Sequence, residues 1–256
     1  MSEYTVSLSM VTYNSERFMG GFFESLKKHL GNVKYHLYVI DNGSTDRTVD
    51  SVKKHMSDNI TLIENSGNLG FGKAHNQVLA DISSRYHLII NPDITMTDDV
   101  VARMVRYMDE HEDIGVLTPK VEFPDGTLQL LPKRNPRLSY LVARRIDMRF
   151  LNKYRAAYEM LEKGADSAFD IEFCTGAFMF VRTAVLKKVG GFDSRYFMYF
   201  EDADLTREIR QYARAEYNPA FVVFHEWERA GSKNLRLFLI QIHSMIKYMI
   251  KWKKRK

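Results

Sequence analysis

The chain has 256 residues, 45% hydrophobic and 27% charged, and carries a net charge of +5. This is room for one large domain or two small ones, with the balance of a soluble globular protein. No run of about eighteen apolar residues occurs, the start lacks a signal-peptide layout, and the single Cys174 excludes an internal disulfide framework, so a reducing, cytoplasmic setting is expected.

The charge is unevenly placed. Residues 233–256 hold eight Lys or Arg and no Asp or Glu; taking those eight from +5 leaves −3 for residues 1–232. A nucleic-acid groove spreads its basic residues over the fold, so no nucleic-acid partner is expected. A basic terminal segment suits an anionic membrane or a polyanion.

In chain order, Val6 to Val11 reads as a buried strand ended by Thr12-Tyr13-Asn14-Ser15. Phe18, Phe22, Leu26 and Leu30 then recur at helical spacing. Tyr35 to Ile40 is a second strand, stopped by the turn cluster Asp41-Asn42-Gly43-Ser44-Thr45-Asp46, where Ser44 or Thr45 is suited to cap a helix through Val49 and Val52. Ile60 to Glu64 is a third strand. Asn68-Leu69-Gly70-Phe71-Gly72-Lys73 follows, leading into a helix through Ala74, Val78 and Leu79. Tyr86 to Ile90 is a fourth strand, closed by Asn91-Pro92-Asp93, and Val100 to Met108 is helical. Strand–helix alternation predicts a parallel α/β sheet, with ligands at the carboxyl ends of its strands, where all four polar clusters fall. Residues 124–170, with Pro124, Pro132 and Pro136, read as an insertion or lid. Glu172 to Val181 reads as a strand around Thr175-Gly176-Ala177. Ala184 to Val189 is a helix ending at Gly190-Gly191, Asp202 to Tyr212 a helix with Leu205 and Ile209 inward, and Ala220 to Phe224 a strand running into His225.

Each cluster carries two readings. Asp41 at a strand end can accept from a nucleotide base, with Thr12, Asn14, Asn42 and Ser44 beside it, or it can organise a turn. The glycines of 68–72 suit close backbone approach and Lys73 an anion, but the spacing is not that of a Walker loop and loop glycines also just form turns. Asp93 suits a hard cation, and Asn-Pro-Asp equally suits a strand stop. His225, with Glu226, Arg229, Ser232 and Lys233, suits a metal or a phosphate, or is simply structural. Glu201, Asp202 and Asp204 directly follow the aromatic run Phe197-Met198-Tyr199-Phe200. Helix dipoles favour acids in a first turn, for which one suffices. A desolvated carboxylate beside a second one also suits a general base.

Together and in order, Val11-Thr12-Tyr13-Asn14, Val39-Ile40-Asp41-Asn42-Gly43-Ser44, Asn68 to Gly72, Asn91-Pro92-Asp93, Thr175-Gly176-Ala177, Gly190-Gly191-Phe192-Asp193, Phe200 to Leu205 and then His225 resemble the family 2 glycosyltransferases, inverting enzymes of the GT-A fold. The resemblance spans residues 4–235. It implies a Rossmann-like, mixed but mostly parallel sheet flanked by helices. Residues 1–232 form that domain, with a nucleotide-binding half (1–115) and an acceptor-binding, catalytic half (116–232), and residues 233–256 a basic amphipathic helix. It further implies a nucleotide-sugar pocket built from Thr12, Tyr13, Asn14, Asp41, Asn42, Ser44, Asn68, Gly70, Phe71, Lys73 and Asn91. Asp41 reads the pyrimidine, and Asp93 and His225 hold Mg²⁺ or Mn²⁺ on the diphosphate. Thr175, Gly176, Ala177 and Glu201 lie at the donor and acceptor sugars, and Asp202 is the base. Many relatives have Asp-Xaa-Asp where this chain has Asn91, which offers an oxygen without charge.

The Asn-Pro-Asp and Phe-Glu-Asp-Ala-Asp-Leu segments look most like the bacterial rhamnosyltransferases, which build cell-wall and surface polysaccharides from dTDP-rhamnose. A dTDP- or UDP-sugar donor and a saccharide or undecaprenyl-type lipid-linked acceptor are implied. Asp204 is expected to be structural, paired with Arg207. Rival readings are a nucleotidyltransferase, whose Gly-rich basic N-terminal loop is not found, and an inactive sugar-binding relative, against which Asp202, Asp93 and His225 stand. In the tail, Leu235, Leu239, Ile242, Ile246 and Met249 form an apolar stripe, widened by Phe238, Met245 and Trp252 and followed by lysines. It is expected to lie on the inner face of the plasma membrane, the alternative being a helix docked on the body. The aromatic second half would also support a homodimer.

Overall fold

The computed structural model describes residues 4–30, 32–129, 131–145, 148–226 and 235–255. The first half of the chain runs β1 (Val6–Thr12), α1 (Glu16–His29), β2 (Tyr35–Asp41), α2 (Thr48–Lys53), β3 (Ile60–Glu64), α3 (Phe71–His75), β4 (Tyr86–Ile90), β5 (Ile94–Thr95) and α4 (Val100–Glu110). The second half continues with β6 (Ile114–Glu122), β7 (Leu128–Gln129), α5 (Leu138–Arg145), α6 (Asn152–Tyr158), β8 (Phe169–Asp170), β9 (Phe178–Arg182), α7 (Thr183–Val189), α8 (Glu201–Ile209), β10 (Arg214–His225) and α9 (Leu235–Lys253).

The sheet order is β3-β2-β1-β4-β9-β6-β10-β5, with β7 on β6 and β8 on β10. β1 to β4 pair parallel, as do β6 and β10, while β9 runs against both of its neighbours. Strand periodicity divides the core. Leu88 and Ile90 of β4 and Phe178 and Phe180 of β9 face α1 and α4; Ile89, Met179 and Val181 face α7 and α8. Helix α1 buries Met19, Phe22, Phe23 and Leu26 on one face, each worth about 2 kcal/mol of apolar transfer. Four parallel strands ending on one edge place residues 12–14, 41–44, 65–70 and 91–93 together, and β9 enters from the opposite direction to bring 175–177 to the same edge.

Several expectations change. Neither Ser44 nor Thr45 caps α2; its first turn is held by Asp46, whose Oδ1 accepts from the Thr48 N–H and hydroxyl, while Ser44 turns back to Asp41. The helix expected through Leu79 stops at His75 and continues as a 3₁₀ turn over Asn76–Val78. Residues 172–177 are irregular, since the paired strand begins only at Phe178. The helix expected to reach Tyr212 ends at Ile209. Nothing in the periodicity marks β6, because Pro119 interrupts it; it sits where β10 shifts register between Asn218 and Val222. The segment 124–170 enters the sheet at both ends, through β7 and β8, so it is anchored rather than a free lid. Arg229, Ser232, Lys233, Lys256 and the expected boundary at 232 lie outside the described residues.

Candidate active site

The end of the site expected to hold the nucleoside is built on Asp41. Its Oδ1 accepts from the Thr12 hydroxyl (2.9 Å) and the Ser44 hydroxyl (2.6 Å), and its Oδ2 from the N–H groups of Gly43 (3.1 Å) and Ser44 (2.8 Å). These four donors fill a carboxylate's acceptor capacity. Asp41 therefore organises the β1 and β2 ends, and a base contact needs one hydroxyl to rotate away. Asn14, at φ 51°, bridges the two loops: its N–H donates to Ser44 and its Oδ1 accepts from the Thr45 N–H. Tyr13 stands 52% exposed beside it. Asn42 ties in the third loop, donating to the Gly70 carbonyl (3.1 Å), while Asn68 Oδ1 caps the Gly70 N–H (2.9 Å). Lys73 is exposed on α3.

Gly70 is required where it stands. Its φ is +85°, and a Cβ there would lie 2.1 Å from the Phe197 carbonyl oxygen, which accepts from the Phe71 N–H. Loop 68–72, the expected donor loop, thus rests directly on the aromatic run before the acid cluster. Tyr199 and Phe200 of that run both have φ near +70°, a conformation costing roughly 1–2 kcal/mol each for such side chains.

At the other end, β5 pairs antiparallel with β10, His225 opposite Ile94, and this sets Asp93 beside His225. His225 Nε2 lies 3.2 Å from Asp93 Oδ2, and Asp93 Oδ1 is buried with no hydrogen-bond partner. Gln129 fixes the ring: its Nε2 donates to the His225 carbonyl (2.7 Å), so its Oε1 faces Nδ1 (2.9 Å) as an acceptor. Nδ1 then donates and Nε2 faces the carboxylate, an arrangement suited to a cation. The pair would supply one nitrogen and one carboxylate to a divalent cation. Among the described residues no group of three or more His, Cys, Asp or Glu could hold a metal.

The acid cluster opens α8. Asp202 is half-buried, with Oδ2 accepting from the Gly176 N–H (3.1 Å) and Oδ1 from the Ala203 N–H (2.9 Å). Gly176 is needed there, since a Cβ would stand 2.9 Å from the Phe71 ring. Burial raises the Asp202 pKa, opposed by those two N–H groups and by Lys133. Burial and then the charge of Asp202 raise Glu201, whose Oε2 has no hydrogen-bond partner. Thr175 Oγ1 is likewise buried without one. Asn91 donates its N–H to the Ala177 carbonyl (3.0 Å), which places the Asp93 end next to Gly176 and Asp202.

Asp204 is structural, as expected, but its partner is not Arg207. Lys251 Nζ lies 2.6 Å from its Oδ2 and Trp252 Nε1 donates to its Oδ1 (2.8 Å), because α9 docks on α8. The tail helix buries Ser244, Tyr248 and Trp252, with Met245 and Met249 packed beside them, so only part of the expected stripe docks; Leu235, Leu239, Ile246 and Ile250 face outward. Sequence reasoning missed Lys133, Asn76 and Lys251. Asn76 holds Phe192 through both of its main-chain groups. All three act across long sequence separations, and no local pattern announces them.

Residues 7–190 match the family described as glycosyl transferase family 2. An N-acetylglucosaminyl-diphospho-decaprenol L-rhamnosyltransferase of Mycobacterium tuberculosis is 28% identical over 178 residues, covering 64% of this chain and 57% of that protein. Rhamnosyltransferase WbbL of Escherichia coli is 30% identical over 170 residues, 62% of this chain and 61% of its own. The chain thus spans about 60% of the length of these curated relatives. Among solved structures, the mannosyltransferase PcManGT of Pyrobaculum calidifontis, with GDP-Man and Mn²⁺, superposes with a TM-score of 0.65 at 18% identity, over 99% of this chain and 65% of that one. S. aureus TarS 1-349 with UDP-GlcNAc gives 0.62 at 19% identity, over 94% and 66%. These likenesses establish the fold expected above, a mixed, mostly parallel GT-A sheet flanked by helices with a helix at its C-terminal end. The family match takes in β1 from Ser7, the loops after β1 to β4 and β9 in a single stretch, well over half of the chain, which is a member of glycosyl transferase family 2.

Proposed function

We propose that this protein transfers a sugar, with inversion, from a nucleoside diphosphate donor to a hydroxyl of a saccharide or lipid-linked acceptor. The observation that carries this reading is the Asp202 carboxylate, anchored through both oxygens at the cleft wall beside the donor loop. Asp202 takes the proton of the acceptor hydroxyl as that oxygen bonds to the anomeric carbon. The bond from that carbon to the diphosphate oxygen breaks on the opposite face, its electrons leaving with the nucleoside diphosphate. Burial keeps Glu201 protonated further up the pH scale than an ordinary carboxyl, so it donates to a sugar oxygen instead of competing for the proton. Asp93 and His225 would hold a divalent cation, which supplies positive charge to the leaving diphosphate. The nucleoside lies against Tyr13 and the Thr12–Asn14 and Asp41–Ser44 loops, with Lys73 and Asn91 nearer the phosphates.

dTDP-rhamnose is the favoured donor, because the two curated relatives above are rhamnosyltransferases, with a UDP-sugar as the alternative. An undecaprenyl-type lipid-linked acceptor in cell-wall or surface polysaccharide synthesis is proposed with it; the mycobacterial relative is named for a diphospho-decaprenol acceptor. Such an acceptor suits an enzyme resting on the inner leaflet through the outward face of α9. No helix among the described residues is long and apolar enough to cross a membrane.

The test is donor hydrolysis and transfer across a panel of nucleotide sugars, with and without Mn²⁺, comparing Asp202→Asn. The substitution should lower kcat by roughly 10²–10⁴-fold with little change in donor KM. Full activity in Asp202→Asn would overturn the assignment.

A further inference from the structure

The underside of the acid cluster is occupied by the tail. Lys251 Nζ sits among three carboxylates, 2.6 Å from Asp204 Oδ2, 2.9 Å from Glu208 Oε1 and 3.2 Å from Asp193 Oδ2, and its side chain is only 10% exposed. Asp204 is 1% exposed and also receives the Trp252 indole N–H. Although burial alone would favour the neutral amine, the hydrogen bonds to Asp204 and Glu208 raise the Lys251 pKa, so the ammonium persists.

The anchors of α9 fall one turn apart on a single face. Ser244 donates to the Met198 carbonyl (2.8 Å), Lys247 to the Arg195 carbonyl, and Lys251 closes the row at Asp193 and Asp204. The Phe200 ring packs against Tyr248, their centroids 5.7 Å apart. Every one of these contacts falls on residues 193–204. This is the segment that holds Tyr199 and Phe200 in left-handed conformations, supports the donor loop through Phe197, and begins α8. Strained backbone persists only where its surroundings over-determine it, and here α9 is the surrounding element on one side.

We propose that Lys251 is a positioning residue for sugar transfer: seated among Asp193, Asp204 and Glu208, it latches α9 across loop 193–200 and so fixes the start of α8, where Asp202 sits. This rests on Asp202 being the base. An apolar residue would hold a helix at least as firmly as a buried ion pair does. What the ammonium adds is a single register, because only one setting of α9 brings it to all three carboxylates.

The experiment uses the full chain and measures melting, nucleoside diphosphate affinity and steady-state transfer for Lys251→Met, Lys251→Arg and Trp252→Phe. Trp252→Phe keeps a ring and removes one donor to Asp204, so it serves if Lys251→Met does not fold. Lys251→Met should lose roughly ten- to a hundredfold in kcat, the scale of a base displaced by about 1 Å. Its donor KM and nucleotide affinity should move much less than kcat, since Asp41 and its four donors at the β1 and β2 ends have no contact with the tail among the described residues, although the 68–72 loop rests on Phe197; Lys251→Arg, keeping charge and reach, should recover most of kcat, and Trp252→Phe should show a smaller loss of the same kind. Unchanged kcat in the folded variants, or nucleotide affinity falling in step with kcat, would overturn the proposal. So would an arginine no better than methionine. Asp202→Asn in the same assay separates the two readings: its full activity would remove the base, whereas an inactive Asp202→Asn beside a fully active Lys251→Met would remove only the latch.

Discussion

Beneath the donor loop, His87 should make the stability of this protein fall with acidity by a calculable amount. His87 Nδ1 lies 2.7 Å from Ser7 Oγ and Nε2 lies 2.8 Å from Ser9 Oγ, which in turn lies 2.7 Å from His75 Nδ1. Both rings are almost fully buried. Ser9 has one proton, so to bond both rings it donates to one nitrogen and accepts from the other. A second proton on His87 would force both serines to accept and set a charge against His75. Burial pushes His87 down to about 3 from its ordinary 6.5, and burial followed by the proximity of His87 lowers His75 as well. The folded pKa is depressed, so below pH 6.5 the unfolded chain binds the extra proton. The contribution of His87 is complete above 6.5 and is lost as the pH falls toward its folded value. Within that window the loss is about 1.4 kcal/mol per pH unit, or roughly 3 kcal/mol between pH 6.5 and 4.5, a large part of a typical domain stability of about 5–15 kcal/mol. Glu201, Asp202 and Asp204, whose pKa values burial raises, act in the opposite sense over the same range. The difference between two proteins is therefore the quantity to read. Urea unfolding at several values between about pH 6 and 4.5 should show the slope of ΔG against pH smaller in His87→Gln than in the parent by about 1.4 kcal/mol per unit, with no such difference above about pH 7. Equal slopes would refute the reasoning, whatever the offset between the two curves.

Gly70→Ala should cost at least about 2 kcal/mol and weaken nucleoside diphosphate binding, because both a left-handed φ and the Phe197 carbonyl oppose a Cβ. Gly126→Ala, at φ +81° with nothing within 4 Å, should cost only about 1 kcal/mol, and thermal melts of the two that agreed would contradict the clash. On the tail, Leu239 and Ile246 are 59% and 47% exposed. Leu239→Ser with Ile246→Ser should reduce sedimentation with anionic phosphatidylglycerol vesicles while leaving melting nearly unchanged; undiminished vesicle binding would remove the membrane reading of α9. Deleting residues 244–256 would be a poorer probe, since it also strips Tyr248 and Trp252 from the core.

The parallel half of the fold was legible because its strands are short, mostly apolar runs that stop at polar clusters. Val6–Thr12, Tyr35–Asp41, Ile60–Glu64 and Tyr86–Ile90 appear within a residue of their expected limits. Strand β6 was not legible, since Pro119 breaks its pattern and its pairing with β10 is itself irregular. In the tail the spacing was right and the face was right in part: Met245, Met249 and Trp252 pack against the body, whereas Leu235, Leu239 and Ile246 face outward. Leu235, Leu239, Ile242, Ile246 and Met249 do recur at helical intervals, but Tyr248 and Trp252 carry more buried area and reach polar partners in Arg207 and Asp204, and they decide which side docks. Asp41 shows a different limit. Its residue type and place were right, yet no sequence pattern reveals that four donors from its own loops already surround it.

The acid cluster shows why three carboxylates in one helical turn need not share a role. Residues two apart on a helix point about 200° away from each other, so Asp202 and Asp204 cannot face the same partner. Asp202 turns with Thr206 toward Gly176 and Cys174, on the cleft side. Asp204 and Glu208, one turn apart, face α9 and share Lys251. Glu201, at the start of the helix, keeps an oxygen without a partner in the buried space between. A cap would need one acid and could place it on any side. Here the two sides of a single turn are both committed, one to the carboxylate proposed to take the proton and the other to the tail helix that docks beneath it. The aromatic run before them is what allows this, because Tyr199 and Phe200 reverse the chain tightly enough to start α8 against the donor loop and the tail at once.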